Sequence, residues 1–122
     1  MHPADISGFT QIGHSDLGGF GDGMQVMRGE EGALYVAHFG PSGKGTSLLD
    51  ASDPAQLRLV RQWDGPSGGH PPKVQVADGR LMTNPEAFRG GVPDRVGMAI
   101  YDLSDPFDPR EIGFWDSTGL GV

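Results

Sequence analysis

The sequence has no cysteine. That absence excludes disulfides, thiolate nucleophiles and Cys-ligated zinc together. Long apolar runs are missing as well. The longest, residues 33–37, falls far short of the ~20 residues that a membrane-spanning helix needs. Basic residues are scarce: 9 Lys and Arg stand against 16 Asp and Glu, for a formal net charge of −7. An acidic surface repels nucleic acid and anionic lipid, so neither is expected as a partner. No stretch shows the 3.6-residue spacing of a long amphipathic helix. The opening Met1-His2-Pro3-Ala4-Asp5 carries neither the basic nor the apolar region of a signal peptide, and a soluble, cytoplasmic protein is the expectation.

Glycine is abundant: 21 of 122 residues, with 10 prolines. These residues form no low-complexity tract. They alternate with short β-branched and aromatic runs, as tight turns between short strands do.

The chain also repeats itself. Gly45-Thr-Ser-Leu-Leu-Asp-Ala-Ser-Asp-Pro54 matches Gly97-Met-Ala-Ile-Tyr-Asp-Leu-Ser-Asp-Pro106 at a shift of 52. The register continues through Arg58 and Arg110, Val60 and Ile112, Trp63 and Trp115, and Asp64 and Asp116. Upstream, Gln25-Val26 matches Gln75-Val76 at a shift of 50, and Gly32-Ala-Leu-Tyr35 matches Gly79-Arg-Leu-Met82 at a shift of 47. Turns of unequal length account for the changing shift. A third, partial copy sets Asp5, Ile12, Gly13, Asp16 and Gly19 against Asp105, Ile112, Gly113, Asp116 and Gly119.

Each unit divides into four short strands, expected at residues 24–28, 33–39, 46–51 and 57–63, then at 73–77, 80–83, 97–103 and 110–115. Lys73-Val-Gln-Val-Ala77 alternates with the period of two of a half-buried strand. Four strands in ~40–50 residues is the period of a β-propeller blade. The fold class expected is therefore all-β: a propeller segment of two four-stranded blades plus a leading outer strand, with the ring incomplete. Residues 1–15 would be the outer strand of a preceding blade, with its strand at 9–13. Residues 16–67 would be the first blade, 68–116 the second, and 117–122 the start of a third. Ser-Asp-Pro has a mechanical reading, since proline presets φ at the second turn position and aspartate accepts bonds from backbone N–H groups in the turn. Asp50, Ser52 and Asp53 could also offer oxygens to calcium, but the recurrence of the motif at the same turn favours a structural role.

These residues resemble the LVIVD-repeat family of bacterial β-propellers, whose pattern is a strand of the type Leu-x-Ile-x-Asp, then x-Ser-Asp-Pro, then a strand running to an aromatic. Here it stands as Leu48-Leu49-Asp50-Ala-Ser-Asp-Pro54 and Ala99-Ile100-Tyr101-Asp102-Leu-Ser-Asp-Pro106. Gly13-His-Ser-Asp16, Gly23-Met-Gln-Val-Met27 and His70-Pro-Pro-Lys-Val-Gln-Val-Ala-Asp-Gly79 look like the N-terminal part of such proteins. The resemblance implies a fold and no particular reaction. A ring needs four or more blades, so it also implies either further C-terminal blades or closure as a homo-oligomer.

Candidate chemistry rests on histidine. His14 and His70 each precede the innermost strand of a unit, where propeller connections reach the channel mouth. Asp16 and Asp22 share the connection with His14, and His38 ends a second strand. Imidazole with carboxylate suits a divalent transition metal, which makes His14, Asp16, His38 and His70 the candidate ligands. No His-x-x-x-His spacing is present, so solvent-facing or turn-bonded histidines are the plainer reading. Gly40-Pro-Ser-Gly-Lys-Gly-Thr46 is not a phosphate loop, because its Lys precedes glycine and a strand follows. No Gly-x-Ser-x-Gly elbow supports a serine hydrolase. The loop 85–95 is the largest difference between the units, and its Glu86, Phe88 and Arg89 are candidate contacts for a protein or small-molecule ligand. Trp63 and Trp115 are placed to pack between blades. The expected function is a non-catalytic scaffold or binding module, and the alternative is a metal-dependent enzyme with its site at the channel mouth.

Overall fold

The computed structural model describes residues 7–19, 22–39, 44–64, 70–86 and 97–117, with the side chains at 22–24, 39, 44, 64, 70–72 and 84–86 left aside. These residues form eight strands: β1 (Asp22–Arg28), β2 (Ala33–Phe39), β3 (Lys44–Asp50), β4 (Arg58–Asp64), β5 (His70–Ala77), β6 (Arg80–Glu86), β7 (Gly97–Asp102) and β8 (Arg110–Asp116). The chain is all-β. Its strands make two four-stranded antiparallel sheets, ordered β1-β2-β3-β4 and β5-β6-β7-β8. A three-residue 3-10 turn, Glu30–Gly32, is the one helical element among the described residues. Neither sheet closes on itself. Every expected strand in residues 24–115 is present, most of them longer by one to three residues at an end.

β2 shows why these residues form strands. Ala33, Tyr35 and Ala37 point to one face, while Leu34, Val36 and His38 point to the other. Five of these six side chains are fully buried and Leu34 is partly so, because β2 is covered on both faces. A strand covered on both sides loses the apolar–polar alternation of a half-exposed one. One face meets the second sheet in the main core, built from Ala33, Tyr35, Ala37, Leu48, Val74, Leu81 and Leu103. The other face meets the Leu17 turn, where Leu17 packs with Val36 and Leu49.

Polar contacts tie the sheets together. Tyr35 Oη donates to the Pro106 carbonyl at 2.7 Å. The Val74 N–H donates to Gln25 Oε1 at 2.9 Å, which caps an edge strand of the second sheet with a side chain of the first. Arg61 donates to the Pro109 carbonyl at 3.2 Å.

The Ser-Asp-Pro turns are built alike in both sheets. Asp50 Oδ1 accepts from the Ser52 N–H (2.9 Å) and the Ser52 hydroxyl (2.6 Å). Asp102 Oδ1 accepts from the Ser104 N–H and hydroxyl, both at 2.8 Å. The second aspartate of each turn also receives a backbone donor: Asp53 from Ala55 at 3.0 Å, and Asp105 from Phe107 at 2.9 Å. The i to i+3 bond around the proline forms from Gln56 to Asp53 and from Asp108 to Asp105. With these oxygens committed to the turn, the motif is a structural device and the calcium reading of Asp50, Ser52 and Asp53 has no support.

Two expectations are corrected. No strand forms at 9–13: residues 7–14 make no ladder, and residues 1–6 lie outside the described residues. A strand needs a neighbour to bond, and residues 7–12 stand exposed before the segment reaches the turn after β3. There Gly13 passes so close to Pro54 that a Cβ would fall 1.9 Å from its carbonyl oxygen. The second correction concerns register. Tyr35 pairs with Leu48 and Met27, whereas Met82 pairs with Ile100 and Gln75. The counterpart of Met27 is therefore Gln75, and that of Val26 is Val74, two positions from the match read off the sequence. The slip is even, so each side chain keeps its face.

Register also fixes how the sheets stack. β4 bulges at Val60 and β8 at Ile112, each skipped in its ladder. Val60 and Trp63 pack into the core between the sheets. Their counterparts Ile112 and Trp115 are 57% and 51% exposed. The face covered on the first sheet is the face left open on the second.

Candidate functional site

Among the described residues, an enclosed polar row runs across the outer face of the first sheet. β2 supplies His38, β3 supplies Ser47 and β4 supplies Gln62, with Ser47 opposite Gln62 in the ladder. His38 Nε2 and Ser47 Oγ share a hydrogen bond of 2.7 Å. Gln62 Nε2 donates to Ser47 Oγ at 3.0 Å and to the Leu17 carbonyl at 2.7 Å. Both His38 and Ser47 are 0% exposed. Burial pushes the His38 pKa below its ordinary value, so the ring is neutral at neutral pH.

A serine hydroxyl within hydrogen-bond reach of a neutral imidazole is the first half of a nucleophile–base arrangement. Here it has no access. The two side chains lie beneath the Leu17 turn, whose residue at the apex holds φ +56°. The Leu17 N–H donates to Ser15 Oγ, and its carbonyl is held by Gln62. The row satisfies polar groups under a loop and pins that loop to the sheet. The sequence carries one signal for it, Ser47 and Gln62 amid apolar neighbours, but not the strand register that joins them.

Of the candidate metal ligands, His38 belongs to this row. His14 is exposed. Asp16 is exposed and accepts from the Gly18 N–H at 3.1 Å within its own turn. His38 is committed to Ser47. The side chain of His70 lies outside those described, as does that of Asp22. Among the described residues no three His, Asp or Glu side chains form a group that could hold a metal ion. Of the candidate partner contacts, Phe88 and Arg89 lie outside the described residues, and Glu86 is described in its backbone alone.

Trp63 packs between the sheets as expected, edge-on to Tyr101 with ring centroids 6.0 Å apart and under the Arg61 guanidinium at 4.4 Å. Trp115 does not: it is 51% exposed, on a face that no other sheet of the described residues covers.

Two clefts sit at the turn end of the sheets. One, of 390 Å³, lies between them: Arg28, Gly29 and Glu30 form one wall and Val76, Asp78, Gly79 and Leu103 the other. The second, of 460 Å³, lies on the outer face of the first sheet among Arg28, Glu31, Gly32 and Ala51. By register Glu31, Gly32 and Ala51 are the counterparts of Asp78, Gly79 and Leu103. No helix of the described residues is long and apolar enough to cross a membrane. No family model, curated protein or solved structure matches the chain.

Proposed function

We propose that the chain is part of a β-propeller of the LVIVD-repeat type, and that it serves as a non-catalytic scaffold that presents its loops to a protein or small-molecule ligand. The observation that carries this reading is the sense of stacking. Two four-stranded meanders follow one another with like faces pointing the same way, which is how successive blades are arranged around an axis. The side chains that could do chemistry support it too: His38 and Ser47 are enclosed, Asp50 and Asp102 are spent in turns, and Asp16 is bonded within its own. The loop at 85–95, which takes the place of the shorter stretch at 40–44 in the first unit, is the segment offered to a ligand.

The test places a photo-crosslinking residue at Phe88 and, as a control, at Arg58, with metal content measured on the same purified protein. A discrete cross-linked partner from position 88 alone supports the scaffold. A stoichiometric transition metal that disappears in His14→Ala and His70→Ala would replace it with a metal-dependent enzyme.

A further inference from the structure

The open face of the second sheet has a counterpart within the same chain, and that counterpart shows what covers it. On the first sheet, Val60 and Trp63 are covered by the face of the second sheet that carries Val74 (1% exposed) and Leu81 (0%). On the second sheet, Ile112 and Trp115 stand open. Register places Met82 beside Ile100 and Met98 beside Trp115 on the same side. The outer face of the first sheet carries the matching surface. Val26, counterpart of Val74, is 57% exposed, and Leu59 is 37% exposed. Leu34, counterpart of Leu81, is partly buried. Leu49, the counterpart of the Tyr101 that Trp63 meets, lies under the Leu17 turn with Val36, so the open part of the receiving face is its edge at Val26 and Leu59.

We propose that a second copy of this chain docks head to tail on the first: the Ile112–Trp115 face of one second sheet meets the Val26–Leu59 face of the partner's first sheet. This inference rests on the scaffold reading and supplies its partner. A contact between unlike faces is heterologous and propagates to a ring or a filament. The outer cleft at Arg28 and Glu31 then receives the turn that holds Asp78, as the cleft between the sheets receives the turn at Gly29 and Glu30. Asp78 comes opposite Arg28, with opposite charge. The ties made by Gln25, Tyr35 and Arg61 within the chain are not repeated. The counterparts of Gln25, Tyr35 and Arg61 are Lys73, Met82 and Gly113, so apolar contact replaces the fixed polar partners at two of the three positions, and Met82 and Met98 supply adaptable side chains. The Leu17 turn lies over the middle of the receiving face, on Val36 and Leu49, and docking displaces it together with residues 7–13, of which Phe9 is 85% and Ile12 63% exposed.

The test is molar mass by light scattering from micromolar to millimolar protein, with circular dichroism and melting on every variant. The wild-type chain should assemble, and more readily in sulfate, which strengthens apolar burial. Trp115→Glu and Val26→Glu should each be folded monomers. Mixed, they should give a one-to-one dimer and nothing larger, because each keeps one working face. Gly13→Val, whose side chain cannot pass Pro54, should release residues 7–13 and lower the concentration for assembly severalfold. Ile112→Glu replaces Trp115→Glu if that variant does not fold. A folded, monomeric wild-type chain overturns the proposal and leaves the scaffold reading to the cross-link at position 88. So does a Val26→Glu variant that keeps wild-type mass, which would mean back-to-back contact, and so does a mixture that stays monomeric.

Discussion

Tyr35 in the first sheet and Pro106 in the second are 71 residues apart in sequence and joined by a 2.7 Å hydrogen bond. The phenol is wholly buried. Burial, reinforced by the negative charge of Asp105, pushes its pKa up to about 12. The hydroxyl therefore stays protonated and donating across the whole range in which the protein would be handled.

Tyr35→Phe removes the donor and leaves the buried Pro106 carbonyl unbonded. An unsatisfied buried group costs about 1–3 kcal/mol. The variant should keep the same sheets, since the ring still fills its site, and unfold at a lower urea midpoint with an unchanged slope. Equilibrium urea unfolding checks this. An unchanged midpoint would show that water takes the place of the hydroxyl.

Gly32 and Gly79 stand at matching turns, with φ +82° and +70°, and each carbonyl accepts from the residue after the third strand of its sheet, Ala51 at 2.8 Å and Leu103 at 2.9 Å. Alanine at either site bears the left-handed cost of roughly 1–2 kcal/mol. Only at Gly32 does the new Cβ also collide, at 2.7 Å from the Ser52 backbone; at Gly79 it meets nothing within 4 Å. Gly32→Ala should therefore destabilise more than Gly79→Ala. Thermal melts of the two variants side by side decide it, and equal losses would mean that conformation alone sets the cost.

These turns also show what could be read from sequence. The strands and the Ser-Asp-Pro geometry were legible, because short β-branched runs between glycines and an aspartate two residues before serine act locally. Register along β5 was not. The turn at Asp78–Gly79 is one residue shorter than the one at Glu30–Gly32, and the Gln-Val pairs at 25 and 75 invited a match two positions out of place. The row of His38, Ser47 and Gln62 depends on the pairing of three strands across turns of unstated length, so no local pattern announces it. The segment at 9–13 has the composition of a strand, but composition cannot supply the neighbouring strand that pairing requires.

Asp50 gives the fold a defined acid limit. The Ser52 hydroxyl, the Ser52 N–H and the Arg58 guanidinium (2.9 Å) hold its pKa at about 2, below the usual value near ~3.9. A carboxylate depressed in the folded state contributes stability that is full above its unfolded pKa and lost as pH falls through the folded one. Asp102 is lowered in the same direction, chiefly by the Ser104 hydroxyl. Urea midpoints should fall between about pH 4 and pH 2 in the wild-type chain. In Asp50→Asn with Asp102→Asn that part of the profile should flatten, at the cost of a lower plateau near neutrality. A parallel fall in wild-type and variant would remove these two residues from the account.

His38 acts at higher pH and in the same direction. Its ring is buried against Ser47, and burial lowers its pKa, so the folded state prefers the neutral form. The stability it contributes is complete above the unfolded value near ~6.5 and is lost as pH falls below it. Protonation would put a charge beneath the Leu17 turn, where the Gln62 amide already donates to the same Ser47 oxygen. The first structure to yield on acidification should be that turn, ahead of the core between the sheets. Hydrogen exchange followed from pH 7 to pH 5, with each rate referred to the intrinsic rate at that pH, should show a falling protection factor at the Leu17 N–H, which is held by Ser15 Oγ, while the Val74 N–H on Gln25 keeps its protection. His38→Asn, which keeps a polar group toward Ser47 but does not titrate, should remove the pH dependence at Leu17. If that dependence persists in the variant, a different group opens the turn, and the row of His38, Ser47 and Gln62 is no more than packing.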